Sequence, residues 1–403
     1  MAAMEKNNKN LNVPNLRFPE FSGEWKETTI GECCSELEYG MNAPSKYFDG
    51  VNKYIRITDI DEQTSEYKQD SVVSPDAPLE DKYIVNDRDI LFARTGASTG
   101  KTYIYNPQDG KMYYAGFLIR ANVKMEDNPK FVFYQTQTHR YKKWVSIMSM
   151  RSGQPGINSQ EYASYKFWKP CKDEQDQISA LISLLDTRIQ TQKKIIEKYE
   201  SLIRGLITDV NSGRIAQCKS VYLRDLLTEQ HEKNTNNYEV CSVSVSQGVI
   251  NQIDYLGRSF AAKEVLHYNV VNCGDIVYTK SPTGEFPYGI LKRSDITKPV
   301  AVSPLYGVYH PINDYVGRYL HLYFKNPINA KNYLHKLIQK GAKNTINITN
   351  QHFLDNKILI PEKGWLDKIV KFATAIEMKI ATENKVLQTL QQQKDHLLSK
   401  MFI

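Results

Sequence analysis

Apolar residues recur at alternating steps of four and three in two stretches of the chain, which is the spacing of a coiled-coil seam. The two seams correspond position by position at an offset of 191 residues. The first consists of Ile178, Ile182, Leu185, Ile189, Gln192, Ile196, Tyr199, Ile203 and Leu206. The second consists of Ile369, Ala373, Ile376, Ile380, Glu383, Leu387, Leu390, Lys394 and Leu397. The pattern predicts a duplicated chain with one long helix at the end of each half.

Each seam has a polar residue at its midpoint, Gln192 in the first helix and Glu383 in the second. An antiparallel pair with pseudo-twofold symmetry brings the midpoints together, and a buried polar layer disfavours slipped registers. We therefore predict that Gln192 faces Glu383 in a two-helix coiled coil about 42 Å long, at 1.5 Å per residue. The alternative is a pair of amphipathic helices, each lying on its own domain. Lys394, at a seam position, is a defect that the sequence does not explain.

The remainder of the chain favours β-structure with a few shorter helices. The strongest β-type segments are Tyr54–Ile57, Ile90–Ala93, Gly116–Ile119, Val240–Val245, Ile276–Thr279 and Leu305–Tyr309. Shorter helices are expected at Pro129–Met150 and Asp314–Gly341, where aromatic and apolar residues have helical spacing. The predicted fold class is α+β: two α/β domains separated by a long antiparallel two-helix coiled coil, in a pseudo-twofold tandem duplication.

The expected domain boundaries follow from these elements. They are a disordered polar tail at 1–13, a globular domain at 14–171, a helix at 172–212, a second globular domain at 213–361 and a final helix at 362–403. Outside the helices the repeat is loose: Arg88-Asp89-Ile90-Leu91 corresponds to Gly274-Asp275-Ile276-Val277 at an offset of 186. The helices kept their register while the globular parts gained and lost residues. This is expected of a fixed frame that carries two recognition modules of different specificity.

Composition narrows the classes of protein that fit. The chain has 403 residues, 41% hydrophobic and 24% charged, which indicates a globular protein of two or more domains. It has no apolar run near the ~18 residues that span a bilayer, and no CxxC pair among its six cysteines. We expect a cytoplasmic protein with reduced thiols, no structural metal and no membrane association. The net charge of +7 suits a polyanionic partner.

Polar glycine turns supply the candidate DNA-binding residues. In the first half these are Arg94, Thr95, Ser98, Lys101, Arg151, Ser152 and Gln154. In the second half they are Lys280, Ser281, Thr283, Lys340, Lys343 and Asn344. Arginine can bond guanine O6 and N7, and glutamine can bond adenine N6 and N7. Each of these turns is alternatively a solvated connector.

The stretch Gly96-Ala97-Ser98-Thr99-Gly100-Lys101-Thr102 is close to a phosphate-binding loop. Such a loop needs four residues between its first glycine and the Gly-Lys pair, and here there are three. A turn that faces DNA is favoured over an ATP site. The chain also lacks the methyltransferase tetrapeptide of Asn or Asp, two prolines and an aromatic residue. No catalytic residues are predicted.

Several segments together resemble a known family, the specificity subunit of Type I restriction-modification systems. Leu16-Arg17-Phe18-Pro19-Glu20-Phe21-Ser22-Gly23-Glu24-Trp25 is similar to its N-terminal opening, and 89–96 with Gly100-Lys101 resembles its strand and glycine loop. Pro170 followed by Glu174-Gln175 resembles the start of its first conserved helix. The second half departs from the pattern, because Trp365-Leu366 replaces Glu174-Gln175 and no Gly-Lys follows Gly284.

The resemblance implies a non-catalytic subunit whose two target-recognition domains recognise the halves of a bipartite site in double-stranded DNA. It implies that the helices dock modification (adenine methyltransferase) subunits and that restriction-translocation subunits join the complex. S-adenosylmethionine, ATP and Mg²⁺ are then expected on those partner subunits only. Two alternatives remain. A self-sufficient DNA methyltransferase or nuclease would bind its own cofactor, and a coiled-coil scaffold unrelated to DNA would lack salt-dependent DNA binding.

Overall fold

The computed structural model describes residues 12–150, 155–253, 264–340 and 346–403. The chain forms two compact units. Unit 1 consists of Met1–Gln192 with Val386–Ile403, and unit 2 consists of Lys193–Lys385. Each of the two long helices therefore contributes one half to each unit. None of the helices in the described ranges combines the length and apolarity needed to cross a membrane.

Unit 1 is built on a four-stranded antiparallel sheet with the strand order β2-β9-β6-β7. Its strands are β1 (Lys26–Thr29), β2 (Glu38–Tyr39), β3 (Ser45–Tyr47), β4 (Lys53–Ile55), β5 (Val73–Pro75), β6 (Asp89–Ala93), β7 (Thr102–Ile104), β8 (Met112–Tyr114), β9 (Leu118–Asn122) and β10 (Lys166–Lys169). Its shorter helices are α1 (Ile30–Cys33), α2 (Pro129–Gln135), α3 (His139–Ser149) and α4 (Ser159–Ala163). Strands β1 and β10 form a separate antiparallel pair. Every residue of β6 is buried, because this strand lies in the interior of the sheet.

Unit 2 has a sheet of the same design, with the strand order β12-β19-β16-β17. Its strands are β11 (Cys218–Tyr222), β12 (Leu227–Glu229), β13 (Cys241–Ser244), β14 (Gly248–Asn251), β15 (Asn269–Val271), β16 (Ile276–Tyr278), β17 (Leu291–Arg293), β18 (Val300–Val302), β19 (Gly307–Pro311), β20 (Gln339–Lys340), β21 (Ile346–Asn347) and β22 (Lys357–Pro361). Its shorter helices are α6 (Asp314–Lys325), α7 (Pro327–His335) and α8 (Asn350–Leu354). Strands β11 and β22 pair as β1 and β10 do. The tandem duplication is therefore confirmed at the level of topology.

The two long helices are α5 (Lys172–Asn211) and α9 (Lys363–Met401). In unit 1 their segments pack through the predicted seam. Ile178 and Ile182, near the start of α5, share a core with Met401 at the end of α9. Ile189, further along α5, packs with Leu390, which lies earlier in α9. The contacts advance along one helix as they recede along the other, so the predicted antiparallel pairing is confirmed.

Lys394 has a structural explanation that the sequence did not provide. Its Nζ lies 2.6 Å from Oδ1 of Asp186 on α5 and 5.7 Å from the ring centre of Tyr134. The hydroxyl of Tyr134 in turn donates to Oδ2 of Asp186 at 2.7 Å. A lysine is therefore tolerated beside the apolar seam because a carboxylate and a ring face receive its charge.

In unit 2 the other halves of the same helices belong to one hydrophobic core. Ile203 and Ile207 of α5 are buried there with Ile369 and Ile376 of α9. Three further seam residues of this half, Tyr199, Leu206 and Ile380, are partly buried against that core, and Ala373 lies within it.

The midpoint residues belong to different units, with Gln192 in unit 1 and Glu383 in unit 2. Gln192 is buried, and Glu383 forms an ion pair of 2.7 Å with Lys379 on its own helix. That Gln192 faces Glu383 stays a prediction.

Helices occur in both segments where shorter helices were expected, and each segment contains two of them. In unit 1 the segment divides into α2 and α3, because the Thr138 side chain caps a new helix by accepting the N–H of Tyr141. In unit 2 it divides into α6 and α7, where Asn326 is the N-cap and Pro327 occupies the first helical position. Proline lacks an N–H for the preceding turn, so a helix begins readily at this residue and rarely continues through it.

Candidate nucleic-acid interface

The glycine turn of unit 1 joins β6 to β7 as a tight hairpin. Gly100 N–H donates to the carbonyl of Ala93 at 2.9 Å, and Ala93 N–H donates to the carbonyl of Lys101 at 2.8 Å. Gly100 has a φ of +89°, and a Cβ at this position would overlap the side chain of Val145. A residue without a side chain is therefore required for the turn to close against α3.

The second candidate loop of unit 1 meets this turn. Thr95 and Gly156 form an antiparallel bridge. Gly96 N–H donates to the carbonyl of Pro155 at 3.0 Å, and Ile157 N–H donates to the carbonyl of Arg94 at 2.9 Å. The described end of the second loop, residues 155–157, is thus bonded to the first turn, although the two are about 60 residues apart in sequence. The candidate residues Arg151, Ser152 and Gln154 lie outside the described residues.

Arg94 and Lys101 stand at the two ends of the turn and have different surroundings. The guanidinium of Arg94 lies 4.7 Å from the ring centre of Tyr39, and its Nη1 is 3.5 Å from the carbonyl oxygen of Gly116. The Nζ of Lys101 lies 3.4 Å from a carboxylate oxygen of Glu62. Lys101 also lines a cleft of about 630 Å³ that is bounded in part by α3 and the two long helices. Of the two cations, only Lys101 is in an ion pair among the described residues of unit 1.

Thr95 and Ser98, the remaining candidates on this turn, are both half-buried. Thr95 takes part in the bridge to Gly156 through its backbone. The carbonyl of Ser98 accepts the N–H of Lys101 at 3.0 Å. The structure therefore brings all four candidates of the first loop onto one short turn.

Four N–H groups of the same turn are already bonded within the protein. The N–H of Gly96 is bonded to Pro155, that of Thr99 to Gly96, and that of Lys101 to Ser98. The N–H of Gly100 reaches both Ala93 and the hydroxyl of Tyr162. Phosphate cradles depend on successive N–H groups that point outward. These contacts argue against the ATP-binding alternative.

The corresponding turn of unit 2 is longer. It joins β16 to β17, and its closing glycine is Gly289, with a φ of +96°. A Cβ on Gly289 would overlap the carbonyl oxygen of Thr279. Gly289 thus holds the place of Gly100, and the sequence comparison missed it because this turn has three additional residues. The closing glycine is therefore kept in a longer turn, but Ile290 follows Gly289 where Lys101 follows Gly100.

The candidates on the unit 2 turn differ in exposure. Ser281 and Thr283 are exposed, and Thr283 exchanges two backbone hydrogen bonds with Phe286 at 3.0 and 2.9 Å. Lys280, at the position of Arg94, is half-buried, and burial lowers the pKa of its amine. Lys340 belongs to β20, which pairs with β21. Lys343 and Asn344 lie outside the described residues.

The recurrent aspartate before the central strand is a structural residue in both units. Asp89 accepts the N–H of Asn86 at 2.7 Å, and Asp275 accepts the N–H of Asn272 at 2.8 Å. Both carboxylates are buried. The residue before each aspartate, Arg88 or Gly274, has a positive φ of 69° or 96°. The motif therefore fixes a sharp turn into the sheet, and it does not contribute chemistry.

The Glu174-Gln175 pair at the start of α5 is also structural. Glu174 is fully buried and accepts two hydrogen bonds of 2.8 Å from Arg17, whose pKa this contact raises. Gln175 donates to Oδ1 of Asp127 at 2.9 Å. The N-terminal segment that carries Arg17 is thus joined to the helix. In unit 2 the corresponding Trp365 is half-exposed and Leu366 is buried in the core.

No group of three or more His, Cys, Asp or Glu side chains able to hold a metal ion occurs among residues 12–150, 155–253, 264–340 and 346–403.

Comparison with known proteins identifies one family. Residues 22–201 match the Type I restriction modification DNA specificity domain. The chain is 24% identical over 315 residues to the specificity subunit of the Type I restriction enzyme MjaVIII from Methanocaldococcus jannaschii, which covers 70% of this chain and 69% of that protein.

Two solved structures share the fold over nearly the whole chain. The Type I restriction-modification S subunit from M. genitalium superposes with a TM-score of 0.59 at 14% identity, covering 97% of this chain and 99% of that one. A chain from a type I restriction-modification system, solved to explain complex assembly and conformational transition, gives a TM-score of 0.50 at 13% identity and covers 94% and 97%. The family resemblance noted from the sequence is confirmed: residues 22–201 match the DNA specificity domain of Type I restriction-modification systems, and the likeness to specificity subunits, which are non-catalytic and recognise DNA, extends over most of the chain.

Proposed function

We propose that each unit supplies one target-recognition domain, residues 14–171 and 213–361, and that each domain recognises one half of a bipartite site in double-stranded DNA. The recognising side chains come from the glycine turns between the inner strand and the edge strand of each sheet. Arg94, Thr95 and Ser98 serve in the first domain, with Arg151, Ser152 and Gln154 on the adjoining loop. Ser281 and Thr283 serve in the second, with Lys280, Lys340, Lys343 and Asn344 as further candidates.

The observation that carries this proposal is a repeated backbone with different side chains. Both units have the same strand order, the same buried aspartate before the inner strand, and a positive-φ glycine that closes the same turn. The turns themselves differ in length and in composition. Phosphate contacts hold a protein on DNA without discriminating between sequences, whereas base-edge contacts discriminate. A constant backbone that presents variable polar side chains is what two different half-sites require.

The same proposal, of a specificity subunit with two target-recognition domains, implies partner subunits. We propose that α5 and α9 dock modification subunits with adenine methyltransferase activity, and that restriction-translocation subunits join through them. S-adenosylmethionine, ATP and Mg²⁺ are assigned to those partners. The hydrogen-bonded N–H groups of the 96–101 turn support this assignment for ATP. We place the complex in the cytoplasm, where the free cysteines of this chain would stay reduced.

The direct test is the DNA sequence methylated in cells that contain this chain and its modification subunit. We expect a bipartite motif, and we expect DNA binding by the purified complex to weaken steeply as salt rises. A complex that binds DNA with no preference for any sequence would contradict the proposal.

A second test concerns the helices. Ile196 is buried on α5, so Ile196→Glu places a charge in the seam and should abolish assembly with the modification subunit. Thr191→Glu, at an exposed position on the same helix, should leave the helix pair intact. Size-exclusion chromatography of the mixed subunits distinguishes the two variants. Normal assembly by Ile196→Glu would contradict docking through the paired helices.

A further inference from the structure

Arg94 lies against a ring that is itself fixed in place. Its guanidinium is 4.7 Å from the ring centre of Tyr39, within the range of a cation–π contact. Tyr39 belongs to β2, and its hydroxyl accepts the N–H of Ser159, the first residue of α4, at 3.1 Å. The ring is therefore held from the sheet at one end and from a helix at the other. A side chain that stacks on such a ring loses much of its rotational freedom before any ligand arrives.

The charge of Arg94 is not neutralised by a carboxylate within the described part of unit 1. Its hydrogen bond to the carbonyl of Gly116 is long, at 3.5 Å. Arg120 in the same sheet differs, because it is nearly buried, stacks on Tyr114 and forms an ion pair with Glu38. Among the described residues of unit 1, Arg94 thus combines a guanidinium held over a ring with N–H donors that remain available to a ligand.

This combination suits one base in particular. Guanidinium presents two parallel N–H groups, and the major-groove edge of guanine presents two acceptors, O6 and N7, at the matching separation. Stacking on a fixed ring restricts the orientation of the planar guanidinium, which favours such a bidentate contact. We infer that Arg94 recognises a guanine in the half-site of unit 1 and that Tyr39 is its positioning residue. The inference rests on the proposed function, because it names the base that one proposed contact selects.

The corresponding turn position of unit 2 does not carry an arginine. Its residue at the position of Arg94 is Lys280, which is half-buried, and burial lowers the pKa of its amine. A lysine presents a rotatable point charge and has no planar fork. The inference therefore assigns the guanine contact to the half-site of unit 1 alone.

The experiment uses the full chain assembled with its modification subunit and a library of randomised DNA duplexes. Bound duplexes are sequenced for the wild type, Arg94→Lys, Arg94→Ala, Tyr39→Leu and Tyr39→Phe. The wild type should select guanine at one position of one half-site. Both Arg94 variants should reduce that selection about tenfold or more, the discrimination typical of a good bidentate pair. Tyr39→Leu should reduce it in part, and Tyr39→Phe, which keeps the ring face but loses the bond to Ser159, should reduce it less.

Arg224→Ala is the matched control. Arg224 also stacks on a tyrosine, Tyr222 at 4.0 Å, but it is paired with Asp355 at 2.7 Å and belongs to unit 2. This variant should leave both half-sites unchanged. Thermal unfolding of each variant, measured alongside, shows that a change in selection occurs in folded protein. If Arg94→Ala unfolds, Arg94→Lys supplies the answer.

The outcomes separate the two proposals. Unchanged guanine selection in folded Arg94 variants overturns the inference, as does an equal loss of affinity for every sequence, which would indicate a phosphate contact. Selection of a different base at the affected position also overturns it. Absence of sequence selection by the wild type in both half-sites would instead contradict the proposed function itself.

Discussion

The place where each sheet meets its neighbouring helix is neutral in unit 1 and charged in unit 2. In unit 1 the hydroxyls of Thr102 and Thr136 lie 2.7 Å apart, and Gln137 donates to Thr102 at 3.2 Å. In unit 2 the backbone N–H of Arg293 donates to Nδ1 of His321 at 3.1 Å, and the Arg293 side chain pairs with Asp295 and Asp314. β7 and β17 hold the same place in their sheets, yet these side-chain contacts differ between them.

This difference shows which features the architecture depends on. The repeated features concern the backbone: the strand order, the buried Asp89 or Asp275, and the closing Gly100 or Gly289. The polar network beneath the edge strand is not repeated. A fold fixed by backbone geometry and helix register leaves its side chains free to change, and this freedom lets two recognition modules diverge on one frame.

The largest expected difference between the units concerns the first turn of each long helix. Glu174→Ala removes a fully buried carboxylate from its contact with Arg17 and should cost about 3 kcal/mol of unfolding free energy, because a largely buried cation loses its partner. Trp365→Ala, at the matching position, should cost less than about 1 kcal/mol, since that side chain is 44% exposed. Urea unfolding of both variants makes the comparison. Equal losses would show that the two helix starts are equivalent.

The closing glycines should tolerate alanine unequally. Both have a positive φ, but an added methyl group meets the side chain of Val145 at Gly100 and the backbone carbonyl of Thr279 at Gly289. We expect Gly289→Ala to cost about 3 kcal/mol and Gly100→Ala about 2 kcal/mol, from left-handed strain plus overlap. Thermal unfolding measures both. A larger loss at Gly100 would contradict the description of the two turns.

The charged contacts where β17 meets α6 predict a pH dependence of stability that is specific to unit 2. Desolvation, together with Lys292, Lys325 and other cations, lowers the pKa of His321 from 6.5 to about 3. Between about pH 3 and pH 6.5, the imidazole of His321 is protonated in the unfolded chain but not in the folded chain. Acidification through this range therefore favours unfolding. At pH 5 this group should cost about 2 kcal/mol relative to neutral pH.

The check is the urea midpoint at pH 7 and pH 5 for the wild type and His321→Gln. The glutamine variant should lose less stability on acidification, because its side chain does not titrate. Identical pH dependence in the two proteins would indicate that His321 is protonated in the folded chain.

The smallest expected effect concerns one base pair. Arg151→Ala should relax selection at one position of the half-site of unit 1, by about tenfold, and should leave the half-site of unit 2 unchanged. Sequencing of the DNA bound by the complex measures both half-sites at once. A change in both half-sites, or equal weakening on every sequence, would remove Arg151 from the recognising residues.

The sequence predicted the helices, their direction and the duplication because periodicity over nine seam positions is a strong signal. It did not explain Lys394, since its partner Asp186 lies beside the seam and 208 residues away. Gly289 escaped notice because three additional residues separate it from the register of Gly100. Tyr39 had no signal at all, being one aromatic residue in a strand of two. Contacts between distant segments, such as Thr95 with Gly156, depend on tertiary structure that local patterns do not encode.

The most direct measurement is the methylated DNA motif in cells carrying this chain with its modification subunit, read across the whole genome. Two unlike recognition modules on a common frame predict two different half-sites separated by a spacer of fixed length and indifferent sequence. A single uninterrupted motif, or two identical half-sites, would contradict the account.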